Sequence, residues 1–327
     1  MVGAGVMGLA TAWALARTGR SVVVCEQFEV GHVNGSSHGG SRIVRLSYPE
    51  ERWVRLAQEA YPLWQELEAG WGRALLDQPG TIDLGDWQGH RDALAACGAP
   101  FEVLDRAETG RRFPLRLENG ETGLFQPDGG IVYADLALQA LLGAATAAGA
   151  DLRERTRVAS IEDEGETVSL DGLRANAVVV TAGAWAPDLV GVDATPTRET
   201  ATYFAFDEPV PSVLDKSLGE THHYALAAPG VGLKAGVHRS GPAADPDEPG
   251  EPDAAIGERA AALVERRFPG AGSLQRMETC LYTNRLNDEF LLERRGRVVV
   301  GSPCSGHGFK FGPVIGERLA ALALEVL

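Results

Sequence analysis

The chain has 327 residues, 44% of them hydrophobic, with 40 glycines and a formal net charge of −15 at pH 7. That length buries a sizeable core and leaves room for two domains, while the acidic balance excludes nucleic acid and anionic membrane surfaces, which would repel it. No run of about 18 apolar residues offers a membrane span, no leader-like segment opens the chain, and the four scattered cysteines form no C-x-x-C pair, so a reducing cytoplasm is the expected setting and no metal site is expected.

The opening residues, MVGAGVMG, place Gly3, Gly5 and Gly8 in a G-x-G-x-x-G turn. Such a turn lets a dinucleotide pyrophosphate rest on a helix N-terminus. Residues 6–18 then read as an Ala/Leu-rich helix ended by Gly19, and SVVVCE as a short buried strand closing on Glu26. Glu26 stands where a carboxylate receives ribose hydroxyls. A lone glycine turn is often an ordinary tight helix entry. Helix, strand and terminal Glu together favour nucleotide binding.

GHVNGSSHGGSRIVR follows as a Gly/Ser loop carrying Ser37, Arg42 and Arg45. Residues 51–70 read as a helix with Trp53, Leu56, Ala57 and Tyr61 near one face. Residues 80–125 mix short strand-like and helical pieces. GGIVYADLALQALLGAATAAGA reads as one strong helix, followed by the strand-like RVASIED and VSLDG. ANAVVVTAGAWAPDL gives a buried strand, a small-residue turn and a helix start. From 191 to 284 the pattern is strand-rich. It is broken by the acidic loop GPAADPDEPGEPDAA, which is expected to be irregular and to face solvent. The last stretch, RVVVGSPCSGHGFKFGPVIGERLAALALEVL, reads as strand, Gly-rich turn and helix. No internal repeat or long linker appears.

Nucleotide-type pieces at both ends and in the middle imply an α/β fold: a doubly wound Rossmann-type sheet assembled from 1–78, 126–190 and 285–327. Segments 79–125 and 191–284 would form a second, mostly antiparallel β-sheet domain. All but three of the 30 basic residues are arginine, the exceptions being Lys216, Lys234 and Lys310. Either lysine is kept where a compact ammonium is required, or three survivors fell at random.

Six segments carry a resemblance that covers nearly the whole chain: GAGVMGLATAWALA, GSSHGGSRIVR, VVVTAGAWAPDL, GLKAGVH, CLYTNRLNDEFLLE and SGHGFKFGPVIGE. Together they resemble the monomeric sarcosine oxidase and N-methyltryptophan oxidase family of FAD-dependent amine oxidases. The resemblance implies an FAD-binding Rossmann-type domain with a substrate-binding domain, and oxidation of a secondary (N-methyl) amino acid to an imine with O2 reduced to H2O2. It also implies a monomer whose partners are a small amino-acid substrate and O2.

By the same resemblance, Gly3, Gly5, Gly8, Glu26 and Ser37 belong to the FAD site, and Arg42 lies over the flavin ring. Cys280 matches the cysteine that forms a thioether to the flavin; read without that match, a lone cysteine is more often a small buried hydrophobe. Tyr282, two residues on, would face the same side of a strand. Gly306, His307 and Gly308 line the flavin, where backbone N–H groups and a helix dipole can face an anion. Arg45 and Lys310 match the substrate-carboxylate groups, a guanidinium being a natural bidentate partner of a carboxylate. Lys234 matches the lysine that promotes electron transfer to O2, and His238 the active-site histidine. Tyr224 resembles a substrate-pocket tyrosine, one residue of spacing being absent.

The chain departs from the family at both ends. Only Met1 and Val2 precede the glycine turn, where the family has an apolar strand, and the usual C-terminal tail is missing, so the natural start is expected several residues upstream. Two other readings stay open: a glycine or D-amino-acid oxidase or dehydrogenase with untethered FAD, and a truncated, inactive flavin-binding chain. The identity of the amine is not encoded in any segment matched above.

Overall fold

A computed structural model describes residues 1–219 and 221–327. Helix α1 (Val6–Ala16) follows the glycine turn and leads into β1 (Val23–Cys25). Next come β2 (Arg42–Val44), α2 (Glu51–Trp71), β3 (Leu76–Asp77), β4 (Thr81–Leu84), α3 (Gln88–Ala96), β5 (Glu102–Asp105) and α4 (Arg106–Arg112). The middle of the chain gives β6 (Thr122–Gln126), β7 (Gly130–Val132), α5 (Ala134–Ala147), β8 (Asp151–Arg153), β9 (Ile161–Asp163), β10 (Val168–Leu170), β11 (Leu173–Ala175) and β12 (Val178–Val180). After α6 (Ala186–Val190) run β13 (Thr195–Ala205), β14 (Ser212–Asp215), β15 (His223–Ala228) and β16 (Gly232–Val237). The chain closes with α7 (Ala254–Arg267), β17 (Leu274–Asn284), β18 (Leu291–Arg295), β19 (Val298–Ser302) and α8 (Gly312–Leu324).

Two sheets dominate. In the first, β1 pairs with β8 in parallel, and β12 pairs in parallel with β19, which also carries β18. Val2 joins these two halves by bridging Cys25 on one side and Val180 on the other. Its N–H donates to Val179 O at 2.9 Å and its carbonyl accepts from Thr181 N at 2.9 Å. Helix α1 is buried along its whole length, as its Ala/Leu composition demands. Gly316 of α8 faces Ala10 of α1 so closely that a Cβ at 316 would overlap its backbone. The second sheet has eight strands in the order β17-β13-β16-β15-β14-β4-β6-β5, all antiparallel except the β14–β4 pair.

Three expectations from the sequence need correction. GGIV is strand β7, not helix, because it pairs with both β2 and β3 and the helix begins only at Ala134. The strand-rich region contains a full helix, α7, whose N-cap Asp253 accepts from the amides of Ala255 and Ile256. The acidic loop does not simply face solvent: Asp247 accepts from Trp185 Nε1 at 2.7 Å and from Arg157 at 2.7 Å.

Candidate active site

One cavity of about 640 Å³ runs between the two sheets. It is lined by Gly3, Gly5, Glu26, Ser37, Arg42, Arg45, Tyr224, Lys234, His238, Cys280, Tyr282, Gly306, His307, Gly308 and Lys310, all singled out from the sequence. Gly8 alone of that set lies outside the lining. It sits beneath the turn, where a Cβ would collide with the Gly3 carbonyl oxygen.

At one end of the cavity the glycine turn meets α1. Gly3 has φ 93, and a Cβ there would approach Thr181 O to 2.7 Å, so only glycine fits. The helix has no acidic residue in its first turn, and its N-cap, Gly5, has no side chain to cap it, leaving its positive end toward the cavity. Ser37 Oγ receives the Val6 amide at 3.2 Å. Glu26 also braces the backbone here: its Oε2 accepts from Ala4 N at 2.7 Å and its Oε1 from Phe28 N at 3.0 Å. Burial alone would raise its carboxyl, but His32 and these two amides hold it below the ordinary value. A carboxylate retains acceptor sites beyond those two bonds.

The floor of the cavity is one face of the eight-stranded sheet, and its register sets out the side chains in rows. Asp83, Leu214, Tyr224 and Gly236 are successive cross-strand partners on β4, β14, β15 and β16, so they share a face. Leu226 and Lys234 form the next row, opposite Tyr203 of β13. Gly236 is required by its neighbour, because a Cβ there would overlap the phenol of Tyr224. On β17, Cys280 and Tyr282 both reach the cavity, as their two-residue spacing demands. Burial pushes the Cys280 thiol up, while Arg42 and Lys234 pull it down. Lys234 is buried, and desolvation, with Arg42 nearby, lowers it to about 7.

The roof comes from β2 with the loop segments on either side of it, and from the loop after β19. Arg42 donates to the carbonyls of Ser41 and Ser36, each at 2.9 Å, which fixes its guanidinium against the loop. Arg45 lies 4.4 Å from the Tyr48 ring centroid and donates to Asp83 Oδ1 at 3.1 Å. Lys310 Nζ donates to Tyr48 Oη at 2.9 Å and His307 O at 2.7 Å. Its ammonium is held well below the ordinary value by burial and by Arg45. Tyr48 Oη also lies 3.3 Å from His307 Nδ1.

The loop after β19 is clasped to β17. Ser305 is buried with φ 40 and donates its amide to Thr283 O at 3.0 Å, while its Oγ receives Arg285 N at 3.2 Å. A Cβ at Gly306 would overlap Tyr282 and approach His238 Cε1 to 2.7 Å. His238 stacks on His222 with ring centroids 4.3 Å apart, and burial holds His238 neutral, down to about 3.

Sequence reasoning missed Tyr48, Asp83, His90, Lys216 and His222, all of which line the cavity. The scarcity of lysine was a usable signal for Lys216, since all three lysines reach this one cavity. The other four are placed by sheet register and loop path, which no short motif records.

A dinucleotide turn with an open helix end, continuous with a cavity bearing a cysteine and two buried lysines, defines a flavoprotein oxidoreductase site. The family model for FAD dependent oxidoreductases, DAO, matches residues 1–322, and the chain belongs to that family. It is 32% identical over 358 residues to peroxisomal sarcosine oxidase of Mus musculus, covering 100% of this chain and 92% of that protein. It is 28% identical over 349 residues to N-methyl-L-tryptophan oxidase of Yersinia pestis, covering 99% of this chain and 94% of that protein. Among solved structures it resembles NikD, an amino acid oxidase essential for nikkomycin biosynthesis, with TM-score 0.87, 28% identity and 99% and 93% coverage of the two chains.

Proposed function

We propose that this chain oxidises a secondary (N-methyl) amino acid, such as sarcosine or N-methyltryptophan, to an imine, with O2 reduced to H2O2. The observation that carries this reading is the convergence of Arg45, Tyr48 and Lys310 opposite Lys234 and Cys280 in a single cavity. The activities that name the mouse and Yersinia relatives agree with it. FAD, when bound, supplies the acceptor for the substrate's hydride equivalent.

The residues divide the remaining work. Gly3, Gly5, Ser37 and the start of α1 receive the dinucleotide's phosphates, and Glu26 its ribose. Gly8 keeps the turn tight from below. Arg45 and Lys310 hold the substrate carboxylate: Lys310 has used two of its three N–H donors, leaving one to offer. The Tyr48 ring beneath Arg45 keeps the guanidinium plane oriented. His238, neutral at pH 7, offers a lone pair to the substrate amine rather than a competing positive charge. Tyr224 and Tyr282 wall the floor beside it, His307 and Gly308 wall the flavin side, and Arg42 faces the flavin ring.

Cys280 is the attachment point for a covalent flavin, and Lys234 supplies a fixed ammonium for the step with O2. Segments 1–78, 126–190 and 285–327 serve the dinucleotide, and 79–125 and 191–284 the substrate. The protein acts as a cytoplasmic monomer; among the described residues no helix is long and apolar enough to cross a membrane.

Peroxide formation under air with sarcosine, N-methyltryptophan and pipecolate tests the reading. Peroxide from any of the three supports a secondary-amine oxidase. Peroxide from glycine or D-alanine alone replaces it with the primary-amine class, and flavin reduction without peroxide replaces it with a dehydrogenase.

A further inference from the structure

The floor of the cavity extends one row beyond Asp83, Leu214, Tyr224 and Gly236. Continuing the register by two residues places Lys216 opposite His222, and His222 opposite His238. The backbone follows this continuation: Lys216 N donates to Leu84 O at 3.0 Å and His238 N to His222 O at 3.0 Å. Each of these side chains points to the same face as its neighbour two residues away, roughly 7 Å further along the strand. Asp215, between Leu214 and Lys216, points the other way and holds the fully buried Arg267 at 2.6 Å. That anchor fixes the end of β14 and commits Lys216 to the cavity side. The distal row is therefore Lys216, His222 and His238, with His90 of α3 lining the same end.

Among the described residues that line this end, the charge balance is positive. Of the carboxylates lining it, Glu50 is paired with Arg52 at 2.8 Å, Asp83 with Arg45 at 3.1 Å and Asp288 with Arg239. Among the described residues, the ammonium of Lys216 and the ring N–H groups of three histidines remain to receive a ligand. Burial lowers all three imidazoles, His90 to about 4, so they serve as neutral donors behind the lysine.

We propose that the substrate carries a second carboxylate on its side chain, and that Lys216, backed by His222, reads it. The substrate class is then an N-alkylated acidic amino acid, with the α-carboxylate at Arg45 and Lys310 and the side-chain carboxylate on the distal row. This inference rests on the proposed reaction for its kinetic test, but not for its binding test.

The kinetic test measures peroxide formation by the flavin-loaded protein with N-methylglutamate, N-methylaspartate and the neutral isostere N-methylglutamine. A charged contact of this kind gives a preference of about tenfold in kcat/KM for the acidic substrates. Lys216→Gln should abolish most of that preference, and Lys216→Glu should invert it toward α-N-methyllysine. Because Lys216 is exposed, both variants should fold, and flavin content per chain checks this. Equal kcat/KM for N-methylglutamate and N-methylglutamine overturns the proposal, as does a preference unchanged in Lys216→Gln.

The binding test titrates glutarate, succinate and butyrate into the same protein and follows the flavin absorption spectrum. Tighter binding of a dicarboxylate, lost in Lys216→Gln, upholds the subsite even if no N-methyl amino acid turns over. Equal binding of glutarate, succinate and butyrate overturns it even if sarcosine is oxidised.

Discussion

Arg45 donates to Asp83 at 3.1 Å, and the other carboxylate oxygen of Asp83 is buried without a hydrogen-bond partner. The guanidinium assigned to the substrate therefore already holds an anion, and an incoming carboxylate must share it or displace it. Asp83→Asn removes the competing charge while keeping the shape. The folded protein should lose about 2 kcal/mol, since a buried cation loses its counter-charge. KM for a carboxylate substrate should fall several-fold. Thermal unfolding and steady-state kinetics together check this; a KM that rises instead would assign Asp83 to the substrate amine.

Lys234 gives a pH-dependent prediction. Its ammonium is lowered from 10.5 to about 7 by burial first and Arg42 second. Between those two values the unfolded chain binds more protons than the folded one, so stability rises with pH in that window. Below about 7 the buried charge is carried in full. Lys234→Met should accordingly stabilise the protein more at pH 6 than at pH 9, the two gains differing by roughly 2–3 kcal/mol. Denaturant melts at the two pH values measure the difference, and equal gains would show that the ammonium is not buried at a cost.

The Cys280 assignment is tested by acid precipitation of the purified protein. Colour should stay in the wild-type pellet and pass into the supernatant for Cys280→Ala. Colour that enters the supernatant from the wild type would leave the cysteine as a packed side chain beside a dissociable flavin.

Arg267 is fully buried, with Asp215 at 2.6 Å and Glu121 at 2.5 Å. Truncating it leaves the buried Asp215 carboxylate with the two Ser217 donors but no counter-charge, so Arg267→Met should cost about 3–5 kcal/mol. The loss should be smaller in Arg267→Met combined with Asp215→Asn, because the stranded charge is gone. A double variant no better than the single one would mean that packing, and not charge, dominates there.

The dinucleotide half was the more legible part of the sequence. Its glycine turn, helix α1 and strand β1 follow from local propensity and spacing, and the Gly-rich loop at 303–308 stands between an apolar strand and a helix as read. Strand β7 was not legible, because GGIV is extended only by virtue of β2 and β3 on either side. Helix α7 should have been: Asp253 followed by AAIGERAAALVERR carries both a cap and an amphipathic period. Three of the unread site residues share one cause. Lys216, His222 and Asp83 come from three strands, and only the pairing of β4, β14 and β15 puts them on one face.

The clasp between the loop after β19 and β17 also limits how relatives with this arrangement can diverge. Ser305, Gly306, Tyr282 and His238 interlock so closely that a change at one demands compensation at the others, which makes this wall slow to drift. Lys216 stands outside the interlock at the exposed end of β14. New amine preferences should therefore arise by single substitutions at Lys216 or His222, while the interlocked wall, His238 included, is inherited unchanged.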